Sequence, residues 1–97
     1  MTMQPVKNEL MQRFELAVEG KVAILEYKEQ DNNVLVFTRT YVPPELRGKD
    51  LAALLTRFAL EDARKQEKKV VPQCSYTAMF MKRNKEFGEL RAAEIGL

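Results

Sequence analysis

The sequence predicts an α/β domain of the α+β kind: a mixed sheet in the order β-β-β-α-β-α, an antiparallel meander followed by a parallel strand. Three observations carry this. Apolar residues alternate with polar ones through the first half of the chain, an amphipathic stretch of helical period follows from Leu51 to Glu67, and a short apolar run, Lys69 to Gln73, comes after it. Tight turns join strands antiparallel, whereas a helix between two strands requires a crossover and pairs them in parallel.

Phe14, Leu16 and Val18 alternate with Arg13, Glu15 and Ala17, which places one face of the first strand in the core. Glu19-Gly20 is a two-residue hairpin turn with Gly20 at a position needing positive φ. Lys21 to Lys28 is the second strand, and its unbroken apolar run Val22-Ala23-Ile24-Leu25 predicts cover on both faces. Asp31-Asn32-Asn33 is a turn cluster. Val34 to Val42, rich in β-branched and aromatic residues, is the third strand, and Pro43-Pro44 ends it because proline cannot continue the ladder. In the helix, Leu51, Leu54, Leu55, Phe58 and Ala59 share one face, with Glu61, Arg64, Lys65 and Lys68 mostly opposite. Tyr76, Met79, Phe80 and Phe87 predict a second helix packed on the sheet. The expected organisation is a single domain over residues 1–97, with 1–5 a disordered lead.

At 97 residues, 45% hydrophobic and 31% charged, the chain has the composition of a soluble globular domain. No apolar run approaches the roughly 20 residues that span a bilayer, and Met1-Thr2-Met3-Gln4-Pro5 lacks the pattern of a signal peptide. A lone cysteine, Cys74, excludes an internal disulfide and suits a reducing, cytoplasmic setting. A net charge of +2 gives no ground for a nucleic-acid or membrane partner. The basic stretch Lys82-Arg83-Asn84-Lys85 reads as a solvated helix end. The absence of histidine removes the commonest general base and the commonest metal ligand together, so no metal is expected.

The most informative stretch is Arg47-Gly48-Lys49-Asp50-Leu51-Ala52, at the junction between the third strand and the long helix. A glycine-bearing turn there leaves backbone N–H groups unpaired, and with the helix dipole they make an anion site suited to a pyrophosphate-bearing cofactor. Asp50 reads as a helix N-cap that would itself occupy those amides. Its carboxylate about 5 Å from a phosphate charge would cost roughly 3 kcal/mol at an effective dielectric of 20.

Further segments stand in a telling order: Phe14-Glu15-Leu16, Gly20-Lys21, Thr40-Tyr41-Val42-Pro43, the Arg47-Gly48 turn leading to Leu51-Ala52, then Val71-Pro72-Gln73-Cys74-Ser75-Tyr76 and Lys85-Glu86-Phe87. Running from about residue 6 to residue 91, this set resembles the short, single-domain GNAT-like N-acetyltransferases. The resemblance implies acetyl-CoA as cofactor and transfer of an acetyl group to an amine, carried by a small molecule or a protein. For that chemistry the candidate cofactor site is Val42, Arg47, Gly48, Lys49, Asp50, Leu51 and Ala52, and the candidate catalytic residues are Cys74, Arg39 and Thr40. Cys74 would accept the acetyl group covalently, and Arg39 would favour its thiolate if the third and fourth strands are neighbours. A strand N–H near Thr40 to Val42 would polarise the thioester carbonyl.

The sequence departs from the family pattern in three places. Asp50 replaces the second glycine of the cradle, Arg39 stands where a histidine precedes the strand threonine, and Arg83-Asn84-Lys85 lacks a second histidine. Glu26 and Glu45 are then the carboxylates left to act as base. These departures support an alternative, a catalytically inactive GNAT-like domain that binds CoA or a protein. The expected oligomeric state is a monomer or a weak homodimer.

Overall fold

The computed structural model describes residues 4–92. Glu19 and Gly20 both take positive φ, 52° and 76°, the pattern of a type I′ turn whose twist matches that of the strands it joins. That turn fixes the register of β2 (Arg13–Val18) against β3 (Lys21–Gln30), with Val18 opposite Lys21 and Phe14 opposite Leu25. Asn32 and Asn33, both left-handed, turn the chain again, and β4 (Val34–Tyr41) pairs antiparallel with β3.

One irregularity interrupts this pairing. Glu26 lies opposite Arg39 but Tyr27 lies opposite Phe37, so Thr38 is an extra residue on β4. Such a bulge bends its strand and sharpens the local twist. The Thr38 hydroxyl donates to the Glu26 carbonyl at 3.2 Å. Before the bulge, β4 pairs in parallel with β5 (Lys69–Pro72), from Val34↔Lys69 to Phe37↔Pro72. After it, Arg39 to Tyr41 has no strand partner on that side among the described residues. The two strands therefore part beyond Phe37.

The crossover helix α1 (Leu51–Lys65) lies over one sheet face, and its Leu51, Leu55, Ala59, Leu60 and Ala63 pack with Phe14, Leu16, Ala23, Leu25, Leu35, Phe37 and Val70. It ends two residues before the expected Glu67. Glu67 takes φ 57°, its N–H donates to Arg64, and the Lys68 N–H donates to Ala63. This is a Schellman closure, built here on a glutamate at the position glycine usually fills. Helix α2 (Ser75–Arg83) follows β5 and is also shorter than expected. Asn84 stops it, with both its backbone N–H and its side-chain amide on the Phe80 carbonyl. Phe87 consequently sits in a 3₁₀ segment, Lys85–Leu90, fully buried and 6.1 Å from the Phe80 ring.

Two expectations are corrected. The apolar run in β3 is covered on one face only: Ala23 and Leu25 are fully buried, while Val22 is 42% exposed and Ile24 half-buried. The helices contribute to a single cluster on the Ala23–Leu25 side, so continuity of apolar residues does not mean double cover. The sheet also has a fifth strand, β1 (Val6–Asn8), antiparallel to β2 at the edge. Its inward residue is a lysine: Lys7 pairs with Asp62 at 3.0 Å and lies 5.8 Å and 5.6 Å from the Phe14 and Tyr27 ring centres. An inward charge on a short edge strand blunts that edge against further pairing. Residues 1–3 of the expected lead lie outside the described residues, and Pro5 is buried just ahead of β1.

Candidate active site

Two helix N-termini face the gap left where β4 and β5 part. The first is that of α1. Proline at Pro43 and Pro44 turns the chain off β4 into a 3₁₀ turn, Pro44–Leu46, whose Leu46 is buried and anchors the bend. Gly48 then takes φ 84° and Asp50 φ 60°. The left-handed region is open to glycine and costs other residues roughly 1 kcal/mol, with aspartate among the better tolerated. The aspartate thus stands in a conformation that the glycine of the family pattern adopts freely.

Asp50 occupies the N-cap position but its side chain makes no capping hydrogen bond, contrary to the expectation that it fills the amides. The left-handed backbone turns the carboxylate away from them, since capping needs an extended N-cap residue. The N–H groups of Leu51, Ala52 and Ala53 have no partner among the described residues. They open on a pocket of about 220 Å³ lined by Val42, Leu46, Arg47, Gly48, Asp50, Leu51, Ala52, Ala53 and Tyr76. No atom lies within 4 Å of where a Gly48 side chain would begin, so a ligand can approach that backbone closely. These residues fit a diphosphate: free amides, a helix N-terminus and one guanidinium on a single concave surface.

Of the seven residues expected at the cofactor site, six line this pocket. Lys49 does not; it is turned towards Glu19, at 3.7 Å. Arg47 donates to the Val42 carbonyl at 2.9 Å and lies over the Tyr41 ring, which holds the guanidinium at the pocket's rim.

The second N-terminus is that of α2. The Cys74 N–H donates to the Phe37 carbonyl at 2.8 Å, one bond beyond the end of β5, and this brings the thiol beside the free part of β4. Its Sγ lies 3.5 Å from the Thr40 hydroxyl. Burial pushes the Cys74 thiol up, but hydrogen-bond donors outweigh it and the net direction is down: the Thr40 hydroxyl, the N–H groups of Thr77 and Tyr76, and the Thr77 hydroxyl. In the neutral state Cys74 makes no side-chain capping bond, and the fully buried Thr77 hydroxyl reaches no hydrogen-bond partner among the described residues, so its pull on the thiol belongs to the ionised sulfur. Such an orphan costs about 1–3 kcal/mol.

Arg39 is placed differently. It lies opposite Glu26, with which it pairs at 3.4 Å, and its neighbour Thr40 is the one that points to the thiol, because successive side chains on a strand face opposite sides. The expected activation of Cys74 by Arg39 is therefore replaced by hydroxyls and amides. The two carboxylates offered as base are also engaged, Glu26 with Arg39 and Glu45 with Lys21 at 3.5 Å.

Tyr76, expected mainly in the core, packs against it and also lines this pocket. Burial raises its phenol, as does the charge of Asp50, so the group stays protonated at neutral pH. The sequence signal is its position two residues after Cys74, at the second residue of a helix that starts in the gap. A larger pocket of about 740 Å³, lined by Met79, Met81, Lys82, Lys85, Gly88 and Arg91 among others, shares no residue with this site.

A family model described as GCN5-related N-acetyl-transferase matches residues 13–90, from β2 to the end of the 3₁₀ segment after α2. The chain belongs to the GCN5-related N-acetyltransferase family. A GCN5-like protein from Staphylococcus aureus, solved by NMR, is similar in structure, with a TM-score of 0.74 and 20% sequence identity over 97% of this chain and 92% of that one. At that identity the likeness carries the fold: a mixed sheet with helices between its strands. No helix among the described residues is long and apolar enough to cross a membrane.

Proposed function

We propose that this family member is an acetyl-CoA-dependent N-acetyltransferase that uses Cys74 as an intermediate acceptor. The observation that carries the reading is the pocket at the start of α1, where unpartnered amides, Gly48 and Arg47 converge beside the gap that holds Cys74. Acetyl-CoA supplies an acyl group already activated as a thioester. The amides of Leu51 and Ala52 and the Arg47 guanidinium would hold its diphosphate, and the chain beyond would run along the gap towards Thr40 and Cys74.

Cys74 acts as nucleophile through its thiolate, which Thr40 and the α2 amides favour. With acetyl-CoA bound, the bond from the Cys74 sulfur to the acyl carbon would form as the bond to the CoA sulfur breaks, and CoA would leave as a thiolate. Tyr76, protonated and lining the same pocket, would donate a hydrogen bond to that leaving thiolate, which then takes its proton from solvent. An amine arriving as the free base then takes the acetyl group from Cys74 and loses its extra proton to solvent.

The test is direct. On titration with CoA, the amide signals of Gly48 to Ala53 shift, and incubation with acetyl-CoA yields one acetyl adduct at Cys74 by intact mass. No shift at millimolar CoA would remove the cofactor, and acetyl transfer undiminished in Cys74→Ala would leave direct attack by the amine. A second reading, a CoA-binding or protein-binding domain without catalysis, is favoured by the Asp50 carboxylate on the pocket wall. CoA binding with no adduct and no turnover would select it.

A further inference from the structure

We infer that Thr77 is a positioning residue for Cys74: its buried hydroxyl closes on the sulfur from the helix side while the Thr40 hydroxyl meets it from the strand side. The role of that arrangement in acetyl transfer rests on the function proposed above; the pairing of hydroxyl and sulfur does not.

Thr77 is fully buried and its Oγ1 has no acceptor and no donor among the described residues. Buried hydroxyls in folded proteins nearly always find a partner, so an exception calls for an explanation. Thr77 is the third residue of α2, and Cys74 is the N-cap residue of the same helix, so hydroxyl and sulfur share one turn. A neutral thiol is a weak acceptor and leaves the hydroxyl unclaimed. A thiolate is a strong one, and the hydroxyl hydrogen rotates freely enough to meet it. The orphan is thus a donor held in reserve for the ionised state.

No charged group is among those that act on the sulfur. From β4, Arg39 faces the opposite side and is paired with Glu26. From α1 and α2, Asp50 and Arg83 act on the Tyr76 phenol and are absent from the groups that move the thiol. What remains is neutral: Thr40 at 3.5 Å, the Tyr76 and Thr77 amides, and the Thr77 hydroxyl. Thr56 on α1 supplies an internal comparison, because it too is fully buried with an unpartnered hydroxyl and it takes no part in the thiol's surroundings.

The experiment measures alkylation of Cys74 by iodoacetamide against pH, read by intact mass on the full chain without CoA. Wild type should titrate below the ordinary thiol value of about 8.5. Thr77→Val should move the midpoint up by about one unit and slow alkylation near pH 7 roughly tenfold. Thr77→Ser should restore it, and Thr56→Val should leave the wild-type profile. Thr77→Ala removes the hydroxyl with less steric demand and should match Thr77→Val, should the latter fold poorly. A wild-type midpoint at or above 8.5, or an unchanged profile in folded Thr77→Val or Thr77→Ala, overturns the inference. Failure of the acetyl adduct with the Thr77 effect intact would instead overturn the acceptor role of Cys74 alone.

Discussion

The two helix N-termini at the site meet the same physical demand and are finished in opposite ways. Each presents unpaired amides and the positive end of a helix dipole. At α1 the N-cap residue is charged, left-handed and exposed, its side chain makes no capping bond, and the amides open on a pocket. At α2 the N-cap residue is a half-buried cysteine in extended backbone, and the amides face its own sulfur. An open terminus suits an anion that arrives and leaves. A terminus filled by a side chain suits an anion that belongs to the protein. The contrast assigns binding to α1 and chemistry to α2 in the proposed function, and each assignment can be broken separately.

The largest expected effect is at α1. Replacing Asp50 by glycine removes a carboxylate from the pocket wall and relaxes a left-handed residue at once. Removing roughly 3 kcal/mol of repulsion at an effective dielectric of 20 corresponds to about a hundredfold tighter CoA binding, an upper bound for so exposed a charge. Asp50→Asn separates the two contributions, because asparagine tolerates the same backbone and carries no charge. Calorimetric titration should give most of the gain with asparagine and a further rise in thermal stability with glycine. Equal affinity in all three proteins would mean that the diphosphate does not lie at this bend.

Arg47→Ala tests the same terminus from the other side. The guanidinium donates to the Val42 carbonyl and keeps further N–H groups for a ligand. Losing a charge-assisted hydrogen bond of roughly 1.5 kcal/mol should weaken CoA about tenfold, while the Cys74 alkylation rate stays at the wild-type value. A matching fall in alkylation would show that the two termini are coupled and the division between them is false.

How much of this contrast is legible in the sequence depends on what fixes each part. The strands β2 to β4, α1 and β5 are readable because alternation and helical spacing report burial directly, and the Glu19-Gly20 turn because its backbone demands particular residues. Three residues of β1 give no periodic signal, and the inward Lys7 inverts the usual pattern of apolar residues facing the core. Val22 to Leu25 reads as buried on both sides because apolar residues need no covering layer to be tolerated on a sheet. The bend at Arg47–Ala52 is legible as a turn with open amides since glycine and the junction ahead of the helix are local. The state of Asp50 is not, because its capping failure depends on a φ value. Arg39 is misplaced for a related reason: the choice of Thr40 over Arg39 depends on strand parity after a bulge that no local pattern announces.

Glu67→Gly is the control for stability outside the site. The glutamate ends α1 in left-handed backbone with the Schellman bonds already formed, so glycine should raise stability by about 1 kcal/mol. Urea unfolding would report it, and CoA affinity and Cys74 reactivity should not move. A loss of stability would mean that the Glu67 side chain holds the closure together.

The smallest effect sharpens the α2 half of the comparison, because it detects the internal anion without any ligand. The folded thiol titrates below its unfolded value of about 8.5. Below the folded value both states carry the proton and Cys74 adds nothing. Between the two values the unfolded chain binds more protons, so stability rises with pH, and above about 8.5 the contribution is complete. As pH falls through the folded value it is lost. Tyr27 and Tyr76 act in the opposite sense: their phenols are raised by burial first, so they favour the folded state below about 10 and lose that effect as pH rises further. They are shared by a Cys74→Ser variant and cancel in the difference. Melting temperatures of wild type and Cys74→Ser, compared from pH 6 to pH 9, should therefore diverge in favour of wild type as pH increases, and in a Thr77→Val background the divergence should begin at higher pH. A difference independent of pH would mean that the thiol stays neutral in the folded protein, and the two helix termini would then differ only in how tightly they are packed.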